Sequence, residues 1–255
     1  MTRPATERFT DRVADYVKYR PGYPAQLMAF LHETCGVAPG ARVADIGAGT
    51  GISAKMLLDA GHPVVAVEPN AAMRTAAEAW LGDHSGFTSV AGTAEATTLA
   101  DSSIALVIAA QAFHWFEPVA AKREFARILM PGGCVALFWN SRRLSGTLFL
   151  EHYEALLQRY GVDYVEVAER YADDAHMDQW FGHGRMRHAM FDNVQRLDFD
   201  GLLGRLMSSS YAPKAGHPNH EPMLAALREL FDDDARDGVV EFVYDTRVYV
   251  GPAEG

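Results

Sequence analysis

The stretch Arg42–Asn70, RVADIGAGTGISAKMLLDAGHPVVAVEPN, decides the fold. An apolar run, a glycine-rich turn, a run with helical spacing and a second apolar run follow one another, the signature of a βαβ unit. A dinucleotide fingerprint requires G-x-G-x-x-G, its third glycine letting helix and strand pack closely. Here Gly47, Gly49 and Gly51 stand at every second position, and Ile52 occupies the place of the close-packing glycine. A β-branched side chain there disfavours a nicotinamide reading. Lys55 is not preceded by G-x-x-x-x-G-K-[ST], so a nucleoside triphosphate loop is excluded. Asp45 precedes the turn and Glu68 ends the second apolar run, where a carboxylate can accept hydrogen bonds from both hydroxyls of a ribose. The pattern therefore describes a nucleoside site with no demand for phosphate. Each acid also has a plainer reading, Asp45 as a cap of the turn and Glu68 as a solvated helix start.

The chain has 255 residues, 49% hydrophobic and 22% charged, enough for one well-buried α/β domain with an elaboration. A formal charge of -10 and the lack of a dense Lys/Arg run argue against a nucleic-acid partner and for a small-molecule substrate. Cys35 and Cys134 have neither zinc-site spacing nor the density of a disulfide scaffold, which fits a reducing cytoplasm. No apolar run is long enough to span a bilayer, and the start MTRPATERFTDR lacks an apolar signal core. The expectation is a cytoplasmic monomer or homodimer with no membrane partner.

Strands are predicted at Arg42–Ile46, Pro63–Val67, Phe87–Ala91, Ile104–Ala110 and Cys134–Trp139, with helices at Ile52–Ala60, Ala71–Leu81 and Pro118–Leu129. This alternation implies a doubly wound, mostly parallel α/β sheet. Before it, a helix up to Tyr19 is broken at RPGYP and followed by a second helix ending near Gly36. After it, Thr147–Gly161, Tyr164–Tyr171 and Pro222–Phe231 have helical spacing, while Arg187–Phe199 and Val239–Val250 are β-rich and close the sheet. One domain is expected, divided into N-terminal helices (1–41), a cofactor-binding core (42–143), a helical cover (144–184) and C-terminal strands and helices (185–255).

With VADIGAGTG followed by VVAVEPNAAM, GTAEATTL, IAAQAFHWF and LMPGGCVALFW, the region from Arg42 to Asn140 resembles the class I S-adenosylmethionine-dependent methyltransferases, in particular methyltransferase type 11. YVKYRPGYP and GLLGRLMSSSYAP are similar to a branch near the trans-aconitate methyltransferase-like proteins, a likeness that carries no substrate over. The resemblance implies a seven-stranded Rossmann-like sheet and a helical cover between its fifth and sixth strands. It also implies S-adenosyl-L-methionine as cofactor, S-adenosyl-L-homocysteine as product and membership of EC 2.1.1. Backbone of Gly47, Ala48, Gly49 and Gly51 would approach the methionine part of the cofactor, and Glu68 would hold the ribose diol. Pro69, Asn70 and Met73 would line the adenine pocket, with Met73 equally readable as core. Thr93, Ala94 and Glu95 would meet the adenine edge, although the family often has Asp at the position of Thr93. Gln111 and Ala112 would lie near the methionine arm and sulfonium.

Methyl transfer from a sulfonium is an in-line displacement, and positioning supplies much of its acceleration. His114, after the fourth strand, is the candidate base, with a plain pocket wall as its alternative. Tyr16, Tyr19, Tyr23, Trp115 and Tyr211 are candidates for an aromatic lid able to contact the sulfonium by cation-π attraction. Arg20 is a candidate partner for the cofactor carboxylate or an acidic substrate, or else a surface residue. His217 and His220 lack carboxylate partners, and no metal is expected. AQAFHW replaces the Asn/Asp-Pro-Pro-aromatic motif of enzymes that methylate adenine, cytosine or amide nitrogen. Two other readings stay open: a nicotinamide-dependent oxidoreductase and a non-catalytic S-adenosylmethionine-binding module.

Overall fold

A computed structural model describes residues 19–164 and 174–253. Tyr16, the expected N-terminal helix before Tyr19 and most of the helix expected over Tyr164–Tyr171 lie outside the described residues.

Seven strands form one sheet: β1 (Val43–Ile46), β2 (Val64–Val67), β3 (Phe87–Val90), β4 (Ile104–Ala110), β5 (Leu129–Arg142), β6 (Arg187–Leu197) and β7 (Val240–Gly251). Their order is β3-β2-β1-β4-β5-β7-β6. The first five run parallel, β7 runs antiparallel to β5, and β6 runs antiparallel to β7. The sheet is the expected doubly wound, mostly parallel, seven-stranded one. β1 and β2 are buried at every position because helices cover both faces. Successive residues of β1 serve opposite faces: Ala44 and Ile46 pack with Val107, Phe125 and Phe181, and Val43 packs with Leu31, Leu57 and Phe138.

The helices are α1 (Ala25–Cys35), α2 (Ile52–Asp59), α3 (Ala71–Leu81), α4 (Pro118–Ile128), α5 (Leu148–Tyr160), α6 (Asp174–Phe181), α7 (Phe199–Met207) and α8 (His220–Asp234). Pro24 precedes the first turn of α1, and Gly36, at φ 60°, closes its end in the left-handed conformation that glycine adopts without strain. Asn70 caps α3 by accepting from the Ala72 and Met73 amides, and Glu117 caps α4 with Pro118 at its first position.

Three elements differ from the sequence expectation. α7 begins where a strand was expected to end; Gly201 and Gly204 weaken its helical propensity, and the Asp198 cap on the Gly201 amide starts it. α6, at Asp174–Phe181, has no counterpart among the helices read from the sequence. β5 begins at Leu129 rather than Cys134, because the chain through Pro131-Gly132-Gly133 stays in the sheet across a register shift opposite Ile104 and Leu106.

The helices fall into separate apolar layers. α1 lays Leu27 and Leu31 against the sheet beside Ala54 and Leu57 of α2, and α6 lays Met177 and Phe181 on the opposite face beside Phe125. α5 joins α7 and α8 in a second apolar layer against Phe242 and Tyr244 of β7.

Asn140, near the end of β5, ties this arrangement together. Its Nδ2 donates to the Gly22 carbonyl at 3.0 Å, while its Oδ1 accepts from Thr246 Oγ1 at 2.6 Å and Asn193 Nδ2 at 3.1 Å. Gln111 Nε2 donates to its carbonyl at 3.1 Å.

Candidate active site

The chain leaves β1 toward β2 on one side while β4 lies on the other, so the carboxyl ends of β1 and β4 open a crevice at a topological switch point. A cavity of about 450 Å³ occupies this position. It runs from the glycine loop, Glu68 and Thr93–Glu95 to Arg142 of β5, Arg205 of α7, Tyr211 and Tyr244 of β7.

At the first end the sequence folds tightly for local reasons. Gly47, Gly49 and Gly51 all have positive φ, at 70°, 56° and 92°. A Cβ on Gly47 would lie 2.7 Å from the Ala112 Cβ, so only glycine lets the turn reach the end of β4. The loop amides are held from across the crevice: Glu68 Oε2 accepts from the Gly49 amide at 2.9 Å, and Oε1 accepts from the Asn70 amide at 2.8 Å. Each oxygen of this buried carboxylate keeps a lone pair. Burial pushes the Glu68 carboxyl upward, against the two backbone hydrogen bonds and Arg74.

Thr50 is the polar group of the loop that sequence reasoning did not single out. It lines the cavity, is 1% exposed, and its hydroxyl has no hydrogen-bond partner among the described residues. A buried hydroxyl without a partner costs free energy that a ligand's hydrogen bond would recover.

Asp45 does not face the cavity. It is fully buried at the end of β1, with Oδ2 accepting from Ser53 Oγ at 2.6 Å. It thus fastens the start of α2 to the strand. Burial raises its pKa to about 7, and Glu68 adds to the rise. Gly51 also stands outside the lining: a Cβ there would meet Leu81 Cδ1 at 2.7 Å, so its absence lets α2 approach α3. Tyr19 is likewise outside. Its ring lies over Gly204, where a Cβ would come within 2.1 Å, and its carbonyl accepts from Gln195 Nε2 at 2.9 Å.

The structure brings the other expected residues together: Arg20, Gly47, Ala48, Gly49, Glu68, Pro69, Asn70, Met73, Thr93, Ala94, Glu95, Gln111, Ala112 and His114 all line the cavity. Tyr23, Trp115 and Tyr211 line it too. Gln111 ends β4 at φ 57°, a left-handed conformation that costs a non-glycine residue about 1–3 kcal/mol and concentrates at functional sites. His114 follows on a short 3-10 turn, Phe113–Trp115, its ring centroid 4.7 Å from that of Trp115. The Thr93–Glu95 loop is anchored from α4, where Glu124 accepts from the Thr97 amide and the Glu117 amide donates to Glu95.

At the far end only Tyr211 was an expected site residue, although Arg205 lies in the same GLLGRLMSSSYAP stretch. Arg142 pairs with Glu154 and lies 5.2 Å from the Tyr153 ring. Arg205, 6% exposed, donates to Tyr244 Oη at 3.1 Å and Ser209 Oγ at 3.0 Å. The usable signal was a charged residue on the apolar stripe of GLLGRLM, where Leu202 and Leu206 flank Arg205 at helical spacing.

Comparison with known proteins agrees with this geometry. Residues 44–137 match the family described as "Methyltransferase domain". A mycobacterial relative, an uncharacterized methyltransferase of Mycobacterium bovis, is 40% identical over 134 residues, 52% of each chain, so this chain spans about half the length of the curated relatives it matches there. An uncharacterized methyltransferase-like protein of Schizosaccharomyces pombe is 29% identical over 87% of this chain and 85% of its own. Among solved structures, the YcgJ protein of Bacillus subtilis superposes with a TM-score of 0.57 at 17% identity, covering 91% of this chain and all of that one. A Haemonchus contortus phosphoethanolamine N-methyltransferase 2, solved with S-adenosyl-L-methionine, superposes with a TM-score of 0.56 at 14% identity over 98% of this chain and 59% of its own. Residues 44–137 thus match a methyltransferase domain, and the chain shares the overall fold of the solved structures it resembles.

Proposed function

We propose that this chain is an enzyme that transfers a methyl group from S-adenosyl-L-methionine to a small-molecule acceptor, releasing S-adenosyl-L-homocysteine. The observation that carries the reading is Glu68: a buried carboxylate at the mouth of β2, facing the cavity, with one lone pair left on each oxygen after the two backbone bonds. Such a group matches a ribose diol. The residues present fit the cofactor in two further respects. The Gly47 turn packs so closely on Ala112 that its backbone, rather than a side chain, borders the cavity, and the Thr50 hydroxyl, buried without a partner among the described residues, offers a hydrogen bond beside it.

When bound, the cofactor supplies an electrophilic methyl group on a sulfonium, transferred by in-line displacement. Pro69, Asn70 and Met73, with Thr93, Ala94 and Glu95, form the adenine end. Gly47, Ala48, Gly49, Gln111 and Ala112 hold the methionine end, and Arg20 offers its guanidinium to the carboxylate. Gln111, fixed by the Asn140 carbonyl, keeps the end of β4 in its strained shape. Tyr23 and Trp115 wall the space and exclude water around the reacting centre. His114 stands where it can take a proton from a hydroxyl or acidic carbon, and an acceptor already carrying a lone pair needs only orientation. The two free cysteines and the acidic charge fit a cytoplasmic enzyme with no nucleic-acid partner.

Titration calorimetry with S-adenosyl-L-methionine, S-adenosyl-L-homocysteine and NAD tests the reading. Binding of the first two is expected; tight NAD binding with no response to them would overturn it. The nicotinamide alternative is disfavoured by Ile52, which lines the cavity where close approach would require glycine.

A further inference from the structure

The β7 end of the cavity has a charge imbalance. Arg205 is buried within the apolar layer of α5, α7, α8 and β7, its guanidinium carbon 5.8 Å from the centre of the Phe242 ring. Its hydrogen bonds go to two neutral hydroxyls, those of Tyr244 and Ser209, and its Nη2 has no hydrogen-bond partner among the described residues. Among the described residues no carboxylate lies within ion-pair distance of it. The neighbouring Arg142 differs, since Glu154 neutralises it and Tyr164 accepts a further bond from it at 2.9 Å. Isolated charges are costly in such surroundings unless paired. The surplus positive charge is felt by Tyr211: burial pushes its phenol up, but Arg205, the Ser209 hydroxyl, Arg142 and Arg20 together bring it below its ordinary value.

We propose that Arg205 is the anion subsite of the acceptor: the methyl acceptor carries an acidic oxygen group, carboxylate or phosphate, that the Arg205 guanidinium holds at the β7 end of the cavity. The proposal rests on the methyltransferase reading. Two distances place the acceptor rather than the cofactor there. The ribose-binding carboxylate lies on β2, and the path from β2 to β7 crosses β1, β4 and β5, about 19 Å at the usual strand spacing. The cofactor's carboxylate is five bonds from its ribose carbon C5′, a reach of about 7 Å. Arg20, from the stretch before α1, also lines the cavity, and its Nη2 donates to the Ser208 carbonyl at 3.1 Å. A planar guanidinium recognises carboxylate or phosphate oxygens in pairs, and the low-dielectric surroundings strengthen the contact. Tyr164, Tyr211 and Tyr244 supply the walls for the remainder of the acceptor.

The test uses the enzyme saturated with S-adenosyl-L-homocysteine, titrated with benzoate, phenyl phosphate and the neutral isostere benzamide. At least one anion is expected to bind about tenfold or more tightly than benzamide, the loss that follows from removing a charge-assisted hydrogen bond. Which anion wins separates a carboxylate acceptor from a phosphate one. Arg205→Met should abolish the preference and leave S-adenosyl-L-homocysteine affinity within about twofold, and Arg205→Lys should restore part of it. Equal binding of benzamide and both anions, or no anion binding at millimolar concentration, overturns the proposal; both are read on the wild-type protein and stand even if the methionine variant fails to fold. A folded Arg205→Met that loses S-adenosyl-L-homocysteine as severely as the anions also overturns it, because the guanidinium then serves the cofactor. Failure of the wild type to bind S-adenosyl-L-homocysteine at all would instead bring down the methyltransferase reading, and the subsite with it.

Discussion

At the β2 end of the cavity the lining consists of the glycine-loop backbone with short polar side chains and the Glu68 carboxylate, drawn mainly from a single stretch between Asp45 and Met73 and joined by Thr93–Glu95. At the β7 end they are long side chains from segments far apart in the chain: Arg142 on β5, Tyr164 after α5, Arg205 and Tyr211 around the end of α7, and Tyr244 on β7. The first end is shaped by which conformations the main chain can take. The second depends on which elements pack against one another. A site of the first kind suits a ligand shared by many proteins, and one of the second kind can change its chemistry by a few substitutions without disturbing the turn.

Four measurements break or sharpen that contrast. Gly47→Val should have the largest effect, because it adds about 1–3 kcal/mol of backbone strain to a clash with Ala112. Calorimetry should show S-adenosyl-L-homocysteine binding weakened roughly a hundredfold or more; unchanged binding would mean that the turn does not cradle the cofactor. Glu68→Ala should weaken the same binding by about 1.5–3 kcal/mol. Unlike a surface acid, it should also lower the chemical-denaturation midpoint, since the Gly49 and Asn70 amides lose their acceptor. A stable Glu68→Ala protein with full affinity would contradict both roles.

Gly204→Ala probes the other end. The new methyl group meets the Tyr19 ring, and overpacking of this kind costs about 1–3 kcal/mol of stability. Adding Tyr19→Ala should recover part of the loss, whereas additive losses would show that the ring and the helix do not touch in solution.

The smallest effect concerns pH. Asp45 has a folded pKa of about 7 against 3.8 for the ordinary group, so the folded state holds its proton more tightly than the unfolded one. The stability this contributes is complete below about pH 4 and is lost as pH rises through about 7. Asp45→Asn should therefore remove this group's share of the fall in unfolding free energy between pH 4 and pH 8. Parallel pH profiles for the two proteins would show that Asp45 titrates normally.

The same contrast explains what could be read in the sequence. The glycine turn, Glu68 and α3, from Ala71 to Leu81, follow from contiguous residues and local rules of conformation and capping. Arg205 does not, because nothing adjacent to GLLGRLM indicates that β7 will place Tyr244 beside it. α7 escaped for a related reason: Gly201 and Gly204 oppose a helix locally, and contacts with Tyr19 and β7 override them. Asp45, Gly51 and Tyr19 had recognisable positions in the motif, yet only the three-dimensional arrangement shows that they brace the site from behind.

The Asn140 cluster sets an order of events during synthesis. Its partners Gly22, Asn193 and Thr246 are separated from it by 118, 53 and 106 positions. A ribosome that has released β5 has already delivered the β2 end complete, while Gly22 still lacks Asn193 and the outer edge of β5 lacks β7. The nascent chain therefore holds an open apolar strand edge until roughly the last hundred residues emerge, the condition in which such edges invite mispairing and chaperone capture. The polar cluster can close only when β7 threads between β5 and β6, so the same event that seals the sheet also completes the β7 end of the cavity.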